Sequence, residues 1–206
     1  MNNDQPIGVP PHPQPWPTDD RYDPVLLAEG DRRNVEDNYR YWKVEAIVAD
    51  LDATRAGVHV AIENWQHDMN IGTIVRNANA FNVAAVHVIG KRHWNRRGAM
   101  ATEKYLHVFH HATVADFVQT VQGKHIIAID NQAGAKELHE AELPENAVLV
   151  FGGEGPGVSA EMIAASEYMV AIEQFGSTRS VNVGVASGVV LYEWTRRHRL
   201  PSVKLT

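Results

Sequence analysis

Three segments of the 206-residue chain combine residue types that chemistry at a ligand needs. The first is Phe151 to Ser159, FGGEGPGVS. Its glycines let backbone come close to a ligand, but it fits neither phosphate fingerprint. Val158 stands where G-x-G-x-x-G would need its last glycine, and no G-K-[ST] follows. Glu154 within the loop would repel a pyrophosphate, so a cofactor without phosphates, or a cationic one, suits it better. A plain turn with a helix cap at Ser159 is the alternative reading. The second segment is Glu63 to Phe81, ENWQHDMNIGTIVRNANAF, where a helix is expected to begin around Asn70 with Gly72 in its first turn. Arg76 on that helix has no acid four residues away to pair with, so its counter-ion is a phosphate or a distant carboxylate, unless it is an ordinary surface arginine. In the third, Gly176 to Trp194, Ser180 and Asn182 precede a helix rich in small residues (Gly184, Ala186, Ser187, Gly188) and apolar on nearly every side. Such a helix belongs in a core or at a subunit interface.

A fourth stretch bears on partners rather than chemistry. Residues 91–104 carry Lys91, Arg92, Arg96, Arg97 and Lys104 against one acid, Glu103, with His93 and Trp94 interleaved. Cations for phosphates beside rings for bases are what single-stranded nucleic acid contacts use; a solvated loop is the ordinary reading. The net charge of −6 excludes a generally basic nucleic-acid surface. His107, His110 and His111 match no metal-ligand spacing and have no acid between them, so a structural or RNA-facing role is expected and no metal. With no cysteine in the chain, disulfides, thiolate zinc sites and a catalytic thiol are excluded. No apolar run approaches the ~18 residues of a membrane span, and the first residues lack the features of a signal peptide. The expected location is the cytoplasm.

The elements that must position these residues follow from periodicity. The chain is 44% hydrophobic and 21% charged, a composition that fits a globular protein. Prolines 6, 10, 11, 13, 15, 17 and 24 make residues 1–24 read as a disordered or loosely docked tail. Apolar positions at helical spacing predict one amphipathic helix over 35–51, within a helical extension spanning 25–55. In the main domain, residues 56–206, nearly all-apolar runs at 58–63, 84–90, 125–130, 147–152 and 168–172 read as strands. Helices are expected at 71–81, 114–121, 159–165 and 181–196. This alternation predicts an α/β fold, a parallel sheet with helices on both faces. Ligands of such sheets bind beyond the carboxyl ends of the strands.

Taken together, the first three segments resemble the SpoU/TrmH family of SPOUT RNA methyltransferases. The resemblance runs from about Val58 to Trp194 and rests on Asn70, Gly72, Arg76 and Phe81 in NIGTIVRNANAF, on Gly152, Glu154 and Gly157 in FGGEGPG, and on Ser180, Asn182, Tyr192 and Glu193 in SVNVGVASGVVLYE. It implies a C-terminal trefoil knot, an exception to the rule against knots. It also implies S-adenosylmethionine as cofactor, a homodimer, and methylation of a ribose 2′-hydroxyl in tRNA or rRNA without a metal. The implied catalytic residues are Arg76, Asn70, Ser180, Asn182 and Glu154, with Asn70 coming from the same or from a partner subunit. The implied cofactor residues are Ile129, Gly152, Glu154, Gly157, Ile172 and Val181, and the RNA residues Lys91, Arg92, Arg96, Arg97 and Lys104. Arg76 stands where the family places its proton acceptor, although a guanidinium is effectively always protonated; an orienting or phosphate-relayed role fits the residues equally. Four departures stand out: Glu173 and Gln174 replace Pro-Met, Val181 a leucine, Gly184 a serine and Asn82 a glycine. A knotted RNA-binding protein without transfer activity is the other reading, and a small-molecule-binding α/β domain a third that leaves the basic stretch unexplained.

Overall fold

The computed structural model describes residues 8–153 and 155–200, which fall into two compact units divided between Thr54 and Arg55. In the first unit, residues 8–24 are not a loose tail, which corrects the expectation from their prolines; residues 1–7 lie outside the described residues. Proline lacks a donor but keeps its carbonyl, and the residues between the prolines supply the bonds. Val9 and Asp31 exchange both backbone hydrogen bonds (2.9 and 3.0 Å), and the His12 N–H donates to Leu27. The Tyr41 hydroxyl donates to the Pro10 carbonyl at 2.6 Å. Helix α1 (Pro24–Glu29) starts on Asp23, whose carboxylate accepts from the N–H groups of Val25 and Leu26.

The single helix expected over 35–51 is instead a 3-10 turn at Asp37–Tyr39, a left-handed residue at Tyr41 (φ 64°) and helix α2 (Val44–Asp52). The cause is Asp31. Its buried carboxylate accepts the Tyr41 N–H at 3.0 Å together with the Arg33 N–H and guanidinium. A backbone donor that a continuous helix would need is thereby taken elsewhere. Burial alone would raise the Asp31 pKa, but these hydrogen bonds outweigh it and hold it at about 2.

The second unit is the α/β domain. Its strands are β1 (Ala56–Asn64), β2 (Val83–Gly90), β3 (Val108–His111), β4 (His125–Ile129), β5 (Lys136–Glu137), β6 (Ala147–Phe151) and β7 (Tyr168–Ala171). They form one sheet in the order β3-β2-β1-β6-β4-β7-β5, every pair parallel. Because side chains alternate along a strand, β6 sends Leu149 and Phe151 to one face and Val148 and Val150 to the other. The first face is covered by α3 (Ile71–Ala80) and α6 (Val183–His198) through Ile74, Val75, Val190, Leu191 and Trp194. The second is covered by α4 (Val114–Thr120) and α5 (Ala160–Ala165) through Phe117 and Met162. The α/β reading holds. The edge strands β3 and β5 were not anticipated: β3 is largely exposed and β5 has two exposed residues, so neither carries an apolar run.

The small-residue face of α6 lies in the core, one of the two places its sequence allows. Its small residues meet α3 of the same chain: a Cβ on Gly184 would stand 2.9 Å from Thr73, and one on Gly188 would stand 3.3 Å from Asn77. The Asn77 amide donates to the Gly184 carbonyl (2.8 Å) and the Ser187 hydroxyl (2.9 Å). The opposite face is apolar and exposed, with Val185 and Tyr192 more than half accessible.

Candidate active site

A cleft of about 760 Å³ opens at the carboxyl ends of β4, β6 and β7. Ile129, Gly152, Gly157, Ile172 and Val181 all line it, as do Asn70, Ser180 and Asn182. Glu154 lies outside the described residues. The floor is backbone brought unusually close. A Cβ on Gly152 would stand 2.0 Å from the Gly157 carbonyl carbon, and one on Gly157 (φ 74°) 2.2 Å from an Asp130 carboxylate oxygen. Two acids at strand ends hold the far side of this loop. Asp130 accepts the Val158 N–H (2.8 Å). Buried Glu63 accepts both the N–H and the hydroxyl of Ser159 (2.7 Å each), while that hydroxyl also caps α5. Sequence reasoning missed both acids; a lone acid closing an apolar strand was the signal available.

The first and third motifs meet at the rim. The Asn182 amide donates to the Asn70 side-chain oxygen at 3.0 Å within one chain, and the Asn182 oxygen caps α6 by accepting from Gly184 and Val185. Arg76 does not line the cleft. It stands exposed on α3, and its guanidinium has no partner among the described residues. Gln174 lines the cleft from the segment that departs from the family pattern, and its carboxamide oxygen is buried without a hydrogen-bond partner among the described residues. Glu173 turns away from it and accepts from the His139 backbone and ring. That hydrogen bond raises the His139 pKa; burial raises that of Glu173, but the His139 bonds outweigh it and lower it. At Asn82 the backbone is left-handed (φ 47°), a conformation asparagine tolerates where glycine is usual.

The five cations of 91–104 are all exposed, and none meets a carboxylate among the described residues. Arg96 lies 5.6 Å over the Trp94 ring. The loop is fixed to α3 by close backbone approach: a Cβ on Gly72 would stand 2.7 Å from the Ala99 nitrogen. His107, His110 and His111 do not converge. His110 bonds the Gly90 carbonyl, and His111 joins a row with His87 and His59. Ring nitrogens of neighbours in that row lie 2.9 Å apart in each pair. Burial pushes the pKa of His59 down to about 4 and that of His87 to about 3. The described residues whose ligand atoms do cluster are Glu137, His139 and Glu173, which the histidine spacing did not anticipate.

A parallel sheet with a backbone-lined cleft at its strand ends and paired asparagines at the rim defines the class. The chain belongs to the SpoU rRNA Methylase family, whose model matches residues 57–192. It is 29% identical over 145 residues to the tRNA (guanosine(18)-2'-O)-methyltransferase of Escherichia coli (strain K12), covering 68% of this chain and 63% of the relative. The chain thus spans under two thirds of that relative. It is 28% identical over 204 residues to the 23S rRNA (guanosine-2'-O-)-methyltransferase RlmB of Neisseria meningitidis serogroup B, covering 85% and 77%. The A. aeolicus TrmH/SpoU tRNA modifying enzyme shares the fold, with a TM-score of 0.66 at 24% identity over 75% of this chain and 81% of that one.

Proposed function

We propose that the chain transfers a methyl group from S-adenosylmethionine to a ribose 2′-hydroxyl of tRNA or rRNA, acting as a homodimer. The carrying observation is the cleft itself: Gly152 and Gly157 leave no room for side chains, so a ligand there meets backbone, and the loop carries no phosphate fingerprint. Both fit an uncharged nucleoside with a cationic sulfonium and no phosphate. Ile129, Gly152, Gly157, Ile172 and Val181 would hold it, with Glu154 assigned there from its motif alone. When bound, S-adenosylmethionine supplies an electrophilic methyl carbon. The chain's own part is to hold the hydroxyl in line and stabilise its developing charge. Arg76, exposed and without a partner among the described residues, grips the phosphate beside the ribose and orients the hydroxyl, whose proton passes to a phosphate oxygen and on to water as the methyl bond forms; a guanidinium is effectively always protonated, so its role is electrostatic. Ser180 and the Asn70–Asn182 pair fix the ribose side of the cleft. That hydrogen bond supports Asn70 acting within its own subunit.

Val185, Val189 and Tyr192 form an apolar row along α6, exposed in the single chain. Exposed contiguous apolar surface marks an interface, and this row supports the homodimer. The trefoil knot belongs to the same reading, supported by the family and by the convergence of 152–158 and 170–182 on one cleft. Among the described residues no helix is long and apolar enough to cross a membrane, and the cytoplasm is where such RNA is met. A calorimetric titration with S-adenosylmethionine, beside transfer of labelled methyl to bulk tRNA and rRNA, tests the reading. Binding and 2′-O-methyl product are expected; RNA binding without either would leave a non-catalytic RNA-binding protein.

A further inference from the structure

At the end of β1 the chain carries a tryptophan whose placement the methyl-transfer reading does not use. Trp65 follows the strand into solvent and is 38% exposed. Its indole N–H donates to Glu63 Oε1 at 2.8 Å, and Glu63 is itself buried and held by both donors of Ser159. Trp65 follows β1 directly, so this bond, together with the packing on Gly90, sets the ring's direction from a rigid base. The benzo part of the ring packs on Gly90 at the end of β2, where a Cβ would stand 2.6 Å from Cε3. The two strand ends are stitched together as well. The Asn64 amide donates to the carbonyls of Lys91 (2.7 Å) and His93 (3.1 Å), and the Lys91 N–H donates to the Asn64 carbonyl. A ring held in this way has its one polar atom satisfied internally and offers only π-surface outward. The exposed cations Lys91 and Arg92 follow directly on the glycine that it packs against.

We infer that Trp65 is a stacking platform for an unpaired nucleobase of the RNA, with Lys91 and Arg92 taking the adjoining phosphates; this rests on the RNA reading above. Rigid aromatic rings beside backbone cations are how single strands are held, and stacking tolerates any base. Charge and stacking separate experimentally, because only phosphate contacts set the salt dependence. The test is binding of an unstructured oligoribonucleotide, followed by anisotropy across a salt series. Trp65→Ala is expected to weaken binding roughly 10- to 100-fold with an unchanged salt slope, and Trp65→Phe, which keeps the ring and loses the N–H, to stay close to the parent. Arg96→Ala/Arg97→Ala should instead flatten the slope, by roughly 0.7 per lost phosphate contact. Calorimetric S-adenosylmethionine affinity should be the same in both Trp65 variants. Unaltered RNA affinity in Trp65→Ala, or a Trp65→Phe loss as large as the alanine loss, overturns the inference while leaving the RNA reading intact. A parent chain that binds no RNA overturns both.

Discussion

The strand-end cleft and the histidine row stand on the same sheet and are built from side chains equally able to do chemistry, in opposite states of satisfaction. At the cleft, Gly152 and Gly157 leave backbone facing the open space, and Arg76, exposed on α3, has no partner among the described residues. In the row, His87 has both ring nitrogens hydrogen-bonded, to His59 and to His111, and its ring packs on Phe109 and Phe117. A concave site with its backbone left open is where a ligand belongs. A histidine cluster with its valences filled inside is part of the packing. The row runs diagonally because His59 pairs in register with Ala85, two residues before His87.

This contrast can be broken most forcefully at the cleft floor. Gly152→Val drives a side chain into the Gly157 carbonyl, and S-adenosylmethionine binding should vanish from the calorimeter; parent-like affinity would place the cofactor elsewhere. Next comes Arg76→Lys, which keeps the charge and loses the planar fork. Single-turnover transfer should fall by at least ~10²-fold, the loss expected for one positioned charge-stabilising donor, with melting temperature and cofactor affinity near those of the parent. A large fall in melting temperature would make the arginine a structural residue like the histidines.

The third test separates the two faces of α6. Val185→Glu should give a folded monomer by sedimentation at micromolar concentration where the parent chain sediments as the proposed dimer. Gly188→Leu, pressed against Asn77, should cost about 1–3 kcal/mol of stability and leave association alone. The reverse pattern would restore the small-residue face as the interface.

The smallest effect is expected in the histidine row. His59 and His87 have folded pKa values below the ordinary 6.5, so between those values the unfolded chain holds protons the native one does not. Their contribution is therefore complete above about pH 6.5 and lost as pH falls toward about 4 and 3. Lys124 disfavours the charged form of both, His110 disfavours that of His111, and Asp116 favours it. His87→Leu should cost about 1–2 kcal/mol at pH 7, flatten the slope of urea-unfolding free energy over this window, and leave transfer at pH 7.5 unchanged. Asp31, with a pKa at about 2, acts at lower pH.

Much was legible in the chain alone. Strands such as Ala147–Phe151, buried at every position, are apolar at every position, so the α/β class follows from composition along the run. Gly152, Gly157 and Asn182 were legible because the roles they fill, close backbone approach and helix capping, admit few residue types; Asn70, which makes no side-chain cap and instead accepts from Asn182, was legible only through its motif. The departure at Asn82 was legible as a departure, but only its left-handed backbone shows why asparagine serves there.

What the tertiary structure decided depends on partners far away along the chain. Glu63 finds Ser159 at a separation of 96 residues and Asn77 finds Gly184 at 107, while Asn70 and Asn182 are 112 apart. No local pattern encodes such pairs, because a carboxylate or amide chooses whichever donor the packed sheet brings to it. The same holds for α6: its sequence is small and apolar on nearly every side, and only packing on α3 decides that the glycines face inward with Val190 while Val185, Val189 and Tyr192 face out. Periodicity sets which residues leave water, an average property that each segment carries within itself. Which of them meet is set by the order of the strands, and that order exists only when the whole sheet is assembled.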